Sequence, residues 1–401
     1  MIQTGIFLIL VLSTVILTVW LLIELLFSLI RRLGSKEASP RKIGRMKRLG
    51  TAIAAFLVVT VLFTLFTQYM AKTPAITGGD TPESLNSIAS LEKVTLNGRD
   101  EWISVRGEDR RNPVILFLAG GPGGTQLAAA RRNLATLEKD YVMVNWDQPG
   151  SGKSYYATSL DSIGVDTYVA DGIALTEYLC ERFGKEKIYL VGESWGSALA
   201  VFLAAERPEL YAAILGTGQM VNFKETEIVD YHKAMEIAEE RGDEAMIQKL
   251  EENGLPPYYG KDVTWKSGAY INYLTGVMSA NPKIHNPGYD TIADIAAPEY
   301  GVLDKVNFAR GVIYTFNNVY QKLYDIDLRK DFAKLDVPVY FFIGRHDLNS
   351  PTALAEDYYN ILEAPEKEWL WFENSAHSPW INEKEKFVKE LVQRFQYEEA
   401  K

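Results

Sequence analysis

Gly192-Glu193-Ser194-Trp195-Gly196-Ser197 follows the apolar run Ile188-Tyr189-Leu190-Val191 and precedes the small, helix-forming stretch Ala198 to Ala205. The pattern predicts a strand, a sharp turn and a helix, with Ser194 at the turn. A residue held there takes a strained backbone, and the residues two positions to either side must lack side chains. A G-x-S-x-G spacing alone is common. The predicted strand and helix around it are what make it a nucleophile elbow.

Outward from the elbow, apolar runs alternate with helical ones. Two short strands, Leu91 to Leu96 and Glu101 to Val105, are bridged by Asn97-Gly98 and read as a hairpin. Further runs follow at Val114 to Ala119, Tyr141 to Trp146, Ala212 to Leu215, Val337 to Ile343 and Glu368 to Phe372. Such alternation predicts an α/β protein with a mostly parallel central sheet covered by helices on both faces. About 115 residues of mostly helical pattern interrupt it, far more than a crossover needs. The expected division is a sheet core over 91–220 and 336–401, with a helical cap over 221–335. The cap's aromatic residues, among them Tyr258, Tyr259, Trp265, Tyr270, Tyr289, Phe316, Tyr320 and Tyr324, are candidates for a pocket wall, with helix packing as the plainer role.

The N-terminal part is of another kind. Ile6 to Ile30 carries only Glu24 as a charge and Thr51 to Met70 carries none, each long enough to cross a hydrocarbon core. The first run lacks the basic start of a signal peptide and is too long for one, so both read as retained helices of a transmembrane hairpin over 1–70. Eight Lys or Arg against two Glu give residues 1–70 a net charge of +6, leaving −16 for the rest of a chain whose total is −10. The basic residues lie between the two runs, so the positive-inside rule places the loop in the cytoplasm and the main domain outside it. Glu24, near the cytoplasmic end of its helix, is expected to snorkel. Residues 71–90 read as a polar linker. Membrane lipid is thus an expected partner of the hairpin. The acidic main domain argues against nucleic acid as a partner, since the two would repel. The single cysteine, Cys180, excludes an intrachain disulfide and a cysteine metal cluster, and it is expected in the core.

A serine hydroxyl is a poor nucleophile without a base, and the base needs an acid to orient it. Of the four histidines, His232 and His285 fall in the expected cap. His377, in Asn374-Ser375-Ala376-His377-Ser378-Pro379, follows the last strand and is the expected base. His346 competes but adjoins Asp347, which follows the preceding strand and is the expected acid. The order Ser194, Asp347, His377 is that of the α/β-hydrolase arrangement. Donors for an oxyanion are expected from the Trp195 N–H and, in the loop Ala119-Gly120-Gly121-Pro122-Gly123-Gly124, from the Gly121 N–H. That loop lacks the Lys-Ser or Lys-Thr ending of a phosphate-binding loop.

These residues resemble the α/β-hydrolase superfamily and, within it, the prolyl aminopeptidase (proline iminopeptidase) group. Gly120-Gly121-Pro122-Gly123-Gly124 is similar to the group's H-G-G-P-G-G loop. Asp147-Gln148-Pro149-Gly150-Ser151-Gly152-Lys153-Ser154 resembles its D-Q-R-G-x-G-x-S segment, and Ser194-Trp195-Gly196-Ser197 its S-W-G-S. Ala119, Pro149 and Glu193 stand where the group has His, Arg and Gly. The resemblance spans about residues 91 to 395 and implies a helical cap, no cofactor, no metal, and release of an N-terminal residue, often proline, from small peptides. It also implies cap acids that hold the substrate's free amine. Glu225, Glu227 and Asp230 are the candidates, with a solvated helix face as their plainer role.

The expectation is therefore a membrane-anchored serine hydrolase, multi-pass with two helices and an extracytoplasmic catalytic domain, acting through an acyl-enzyme on a peptide or other small molecule. Aminopeptidase is favoured over a carboxylesterase or lipase-like activity, and over a catalytically silent binding domain. An epoxide hydrolase normally carries Asp at the elbow, where this chain has Ser194.

Overall fold

The computed structural model describes residues 2–33, 39–76, 86–284 and 288–399. His285 and residues 77–85 of the expected linker lie outside them. The chain divides into two compact units, Met1–Lys72 with Ala296–Val306, and Thr73–Ile295 with Asn307–Lys401.

In the first unit, helices α1 (Ile2–Leu33) and α2 (Pro40–Met70) pack against each other. Both outrun the apolar stretches that announce them. α2 starts at Pro40 because proline at the first helical position gives up an N–H that has no partner anyway, and Arg and Lys after it are good helix formers. Glu24 of α1 is paired with Arg45 of α2 at 3.0 Å, so its carboxylate meets a cation within the hairpin. At the end of α2 the Thr67 Oγ1 accepts from Val302 N at 3.1 Å, Gln68 Nε2 donates to Asp304 Oδ1 at 2.9 Å, and Lys72 N donates to Pro298 O at 3.0 Å.

The second unit is built on one eight-stranded sheet: β1 (Ile88–Leu96), β2 (Arg99–Gly107), β3 (Val114–Leu118), β4 (Val142–Asp147), β5 (Ile188–Glu193), β6 (Tyr211–Thr217), β7 (Val339–Gly344) and β8 (Lys367–Phe372). Their order across the sheet is β1-β2-β4-β3-β5-β6-β7-β8. β1 and β2 are antiparallel to each other, β2 is antiparallel to β4, and the remaining pairs are parallel. The hairpin turns on Asn97 (φ +48°) and Gly98 (φ +80°), the two left-handed positions that suit a twisted two-residue turn. β7 begins after Pro338 rather than at Val337, since proline has no N–H for a ladder.

Successive strand residues face opposite sides, and both sides are apolar. On one, Leu116, Leu118, Val144, Leu190, Ile214 and Phe341 pack against α4 (Val165–Phe183) and α5 (Trp195–Glu206). On the other, Ile115, Phe117, Met143, Val191, Leu215 and Phe342 meet α3 (Leu127–Asn133) and the C-terminal helix Lys384–Glu399. α5 is buried from Trp195 to Ala204, which its run of small and apolar residues permits. Cys180 is half-buried at the rim of α4, with its Sγ 3.8 Å from Glu186 O, not in the core as expected. Between β6 and β7 the chain runs through helices that include α6 (Phe223–Arg241), α7 (Glu244–Asn253) and α8 (Val263–Ser279). α6 is started by Asn222, whose side chain accepts from Glu225 N, and stopped by Gly242 at φ +63°.

Candidate active site

The turn between β5 and α5 holds Ser194 at φ +54° and ψ −123°, a conformation that side-chain-bearing residues rarely take. A β-carbon on Gly192 would collide with the carbonyl of Gly196, and one on Gly196 with the carbonyl of Leu118. The two glycines are thus what allows α5 to leave β5 so abruptly. Ser194 N donates to Thr217 O at 3.0 Å, and Ser197 Oγ donates to Ser194 O at 2.6 Å, which fixes the turn against β6.

His377 follows β8, and Asp347 follows β7. The imidazole Nδ1 lies 3.1 and 3.0 Å from the two Asp347 oxygens. Asp347 is buried, and its Oδ1 also accepts from the backbone N–H groups of Asn349 and Ser350 at 2.8 and 3.0 Å. Burial pulls the His377 pKa down, but the charge and hydrogen bond of Asp347, with a further contribution from Glu193, push it up to about 9. Gly218, at φ +51° after β6, gives the ring its room: a β-carbon there would stand 2.7 Å from His377 Cε1. Nothing in the local sequence distinguishes Gly218 from any turn glycine, so its role shows only in the fold.

Ser194 and His377 line one cavity of about 150 Å³ together with Gly121, Trp195, Glu227 and Asp230. The Ala119–Gly124 loop is held there by the last residue of β4 and the segment after it. Asp147 accepts from Thr125 Oγ1 and from Lys153 N (2.8 Å), Gln148 Nε2 donates to Ala119 O at 3.1 Å, and Gln148 Oε1 accepts from Trp195 Nε1 at 2.9 Å. The Asp-Gln pair therefore joins the glycine loop to the residue after Ser194. Pro149 contributes its carbonyl, which accepts from Tyr168 OH at 3.2 Å.

Of the three candidate cap acids, two reach the cavity and one does not. Glu227 and Asp230 sit three residues apart on α6, a spacing that places them on one helix face, and both are buried. Glu227 accepts from Ser267 Oγ (2.7 Å), Tyr270 OH and Tyr320 OH (2.9 Å). Asp230 Oδ1 has no hydrogen-bond partner among the described residues. Burial raises both carboxyl pKa values, and Asp230 is raised further by the charges of Glu227 and Asp347. Glu225, by contrast, points out of the cavity and pairs with Arg329, because it is two residues from Glu227 and so on another side of α6. Of the cap aromatics, Phe316 and Tyr320 line the Ser194 cavity. Tyr289 lines a neighbouring cavity of about 240 Å³ that shares His377 and Asn349. Tyr258, Tyr270 and Tyr324 are packed in the interior, and Tyr259 and Trp265 are exposed. His232 is exposed on α6, and His346 lines neither cavity among the described residues.

Residues 113–247 match the family described as alpha/beta hydrolase fold. The probable aminopeptidase YbaC of Bacillus subtilis (strain 168) is 32% identical over 311 residues, which are 76% of this chain and 96% of that protein. The chain is an α/β hydrolase. A proline iminopeptidase of Clostridium botulinum is 24% identical over 286 residues, 70% of this α/β hydrolase and 88% of the relative. Among solved structures, that of proline iminopeptidase from Mycobacterium smegmatis superposes with a TM-score of 0.54 at 17% identity, covering 78% of this chain and 99% of the other. The crystal structure of VinJ gives 0.54 at 20% identity, with 77% and 98% covered. These two likenesses are of fold.

Proposed function

We propose that the protein is a membrane-anchored serine hydrolase that removes an N-terminal residue from small peptides through an acyl-enzyme. Ser194 attacks the first peptide carbonyl, and its proton passes to His377, which Asp347 orients and whose cationic form it stabilises. The carbonyl π electrons move onto oxygen, where the N–H groups of Trp195 and Gly121 receive the charge. Collapse breaks the C–N bond as His377 returns the proton to the leaving amine, and water then repeats the sequence on the ester.

The observation that carries the aminopeptidase reading is the buried pair Glu227 and Asp230 beside Ser194, with Asp230 Oδ1 unpartnered. A buried acceptor without a donor is costly, and an ammonium or secondary-amine group supplies both donors and charge. A substrate's free N-terminus at the acids would set the carbonyl next to it at Ser194, so one residue is released. Relatives named as an aminopeptidase and as proline iminopeptidase agree with this.

The membrane reading rests on α1 and α2. Each has more than 30 residues, about 45 Å of helix, against a hydrocarbon core of roughly 30 Å. Their leucines, valines and isoleucines, such as Leu12, Leu22, Val58 and Leu62, are exposed, an arrangement that lipid suits and water does not. The basic residues at the start of α2 favour a cytoplasmic connection and an extracytoplasmic hydrolase.

Full-length protein in detergent, offered fluorogenic aminoacyl amides, including prolyl, and N-blocked esters, tests the proposal. Turnover of free-amine substrates together with fluorophosphonate labelling that Ser194→Ala and His377→Ala abolish is the expected result. Ester cleavage without any aminoacyl turnover rejects the peptidase in favour of a carboxylesterase. Equal labelling of all three proteins rejects the serine mechanism.

A further inference from the structure

Glu193, the last residue of β5, is buried directly before Ser194. Its Oε1 accepts from Ser378 Oγ at 2.5 Å and from Trp380 Nε1 at 2.9 Å. Its Oε2 accepts from Gln126 Nε2 and Tyr289 OH. A carboxylate has about four acceptor directions, and four donors use them. All four are neutral, and among the described residues no Lys or Arg donates to it. A buried carboxylate without a cation is an expensive thing to keep.

The donors come from the segments that carry the rest of the site. Ser378 adjoins His377, and Trp380 lies in the short helix Pro379–Asn382 that follows it. Gln126, on the other side, accepts from Gly120 N at 3.2 Å and so braces the loop that contains Gly121. Tyr289 belongs to the insertion between β6 and β7 and lines the cavity that it shares with His377. The base loop, the glycine loop and the insertion thus converge on the side chain of the residue that precedes Ser194.

We infer that Glu193 is a positioning residue, one that holds the His377 loop and the Gly120–Gly121 loop in register with Ser194 and whose charge favours the imidazolium that forms during attack. The inference rests on the serine-hydrolase reading above. The charge of Glu193 acts on His377 in the same direction as that of Asp347, raising its pKa against the effect of burial. Protonated His377 is the cation that the buried carboxylate otherwise lacks. Glu193 acts on neither the attacking oxygen nor the carbonyl directly but through its neighbours.

The test uses the full-length protein in detergent and measures the rate constant of Ser194 acylation by a fluorophosphonate, kcat and KM on the best ester or aminoacyl substrate, and thermal stability. Glu193→Gln keeps the shape but removes the charge and turns one acceptor into a donor. It is expected to slow acylation and lower kcat by about tenfold or more, with KM changed by less than about threefold. Ser378→Ala and Tyr289→Phe each remove one donor and keep the charge, and losses of about two- to fivefold are expected. In the double variant Glu193→Gln with Ser378→Ala the losses should not add, since both act on one contact. Glu193→Gln acylating at the wild-type rate overturns the inference. So does a loss that lies wholly in the fraction of labelled sites, with the rate constant unchanged, because that is a purely structural role. If Glu193→Gln does not fold, the two donor variants decide, and wild-type rate constants in both overturn it. Failure of the wild type itself to label is a different result, which removes the serine-hydrolase reading and the inference with it.

Discussion

His377 Nδ1 sits 3.0 Å from Asp347 Oδ2, and the same carboxylate is fastened by the backbone N–H groups of Asn349 and Ser350. Asp347 is therefore immobilised before it orients the ring. With the His377 pKa pushed up to about 9, the imidazole that must accept a proton is mostly charged at neutral pH. Acylation should climb about tenfold per pH unit and level off near pH 9. Asp347→Asn removes the charge and leaves only a neutral amide at His377 Nδ1, so the limb should move toward the ordinary histidine value of 6.5 while the plateau falls by roughly a thousandfold or more. The sign for stability follows from the same shift. A raised pKa means the folded form holds the proton more tightly, so the stabilisation is complete below about pH 6.5 and is lost as pH rises through about 9. Stopped assays at fixed ionic strength from pH 6 to 10, with urea melts alongside, check both statements.

Asp230→Asn and Glu227→Gln should separate recognition from chemistry. Each is expected to lower kcat/KM on free-amine substrates by about ten- to a hundredfold, the range for losing a charged hydrogen bond. Hydrolysis of an N-blocked ester should change little. Steady-state kinetics on the matched pair of substrates is the measurement, and equal losses on both would remove the acids from amine recognition. Glu225→Gln serves as the comparison, since its partner is Arg329, and neither substrate should notice it.

Gly196→Ala adds one methyl group, yet that carbon would press into the carbonyl of Leu118, a rigid partner in a central strand. A loss of more than about 3 kcal/mol is expected, at the upper end for overpacking, because neither β3 nor α5 can yield. Chemical denaturation of the detergent-solubilised protein reads it. Gly98→Ala, whose added carbon meets nothing within 4 Å, should lose far less and mainly through its positive φ.

Topology is decided by proteolysis. In intact cells or spheroplasts, cleavage of the hydrolase unit by added protease is the expected outcome, as is its retention in membranes washed with carbonate. Complete protection would reverse the orientation.

The sheet was legible in the sequence because a parallel strand buried on both faces is a short apolar run, and six such runs among helical stretches, after a hairpin marked by Asn97-Gly98, leave little choice of architecture. Ser194, Asp347 and His377 were legible for a related reason: each follows the end of a strand, so one strand-end loop apiece brings them together. What the sequence hid depends on single contacts across long separations. Glu193 reads locally as a replacement for a glycine, and only the fold reveals that donors from positions 126, 289, 378 and 380 meet on it. Glu225 and Glu227 look equivalent in a helical stretch, and the rotation of α6 over two residues sends one to the cavity and the other to Arg329. The ends of α1 and α2 were underestimated because hydropathy marks where a helix is apolar, not where it stops being a helix.

Thr67, Gln68 and Lys72 are the partners of Val302, Asp304 and Pro298. Their meaning extends to how the protein is made and handled. The last turn of α2 is synthesised more than two hundred residues before the stretch it binds, so it waits as a template until Ala296–Val306 arrives. A truncation at residue 72 takes that template away and leaves the stretch's backbone and side-chain groups without these partners. In the whole chain, by contrast, the stretch folds against the helix that was made first.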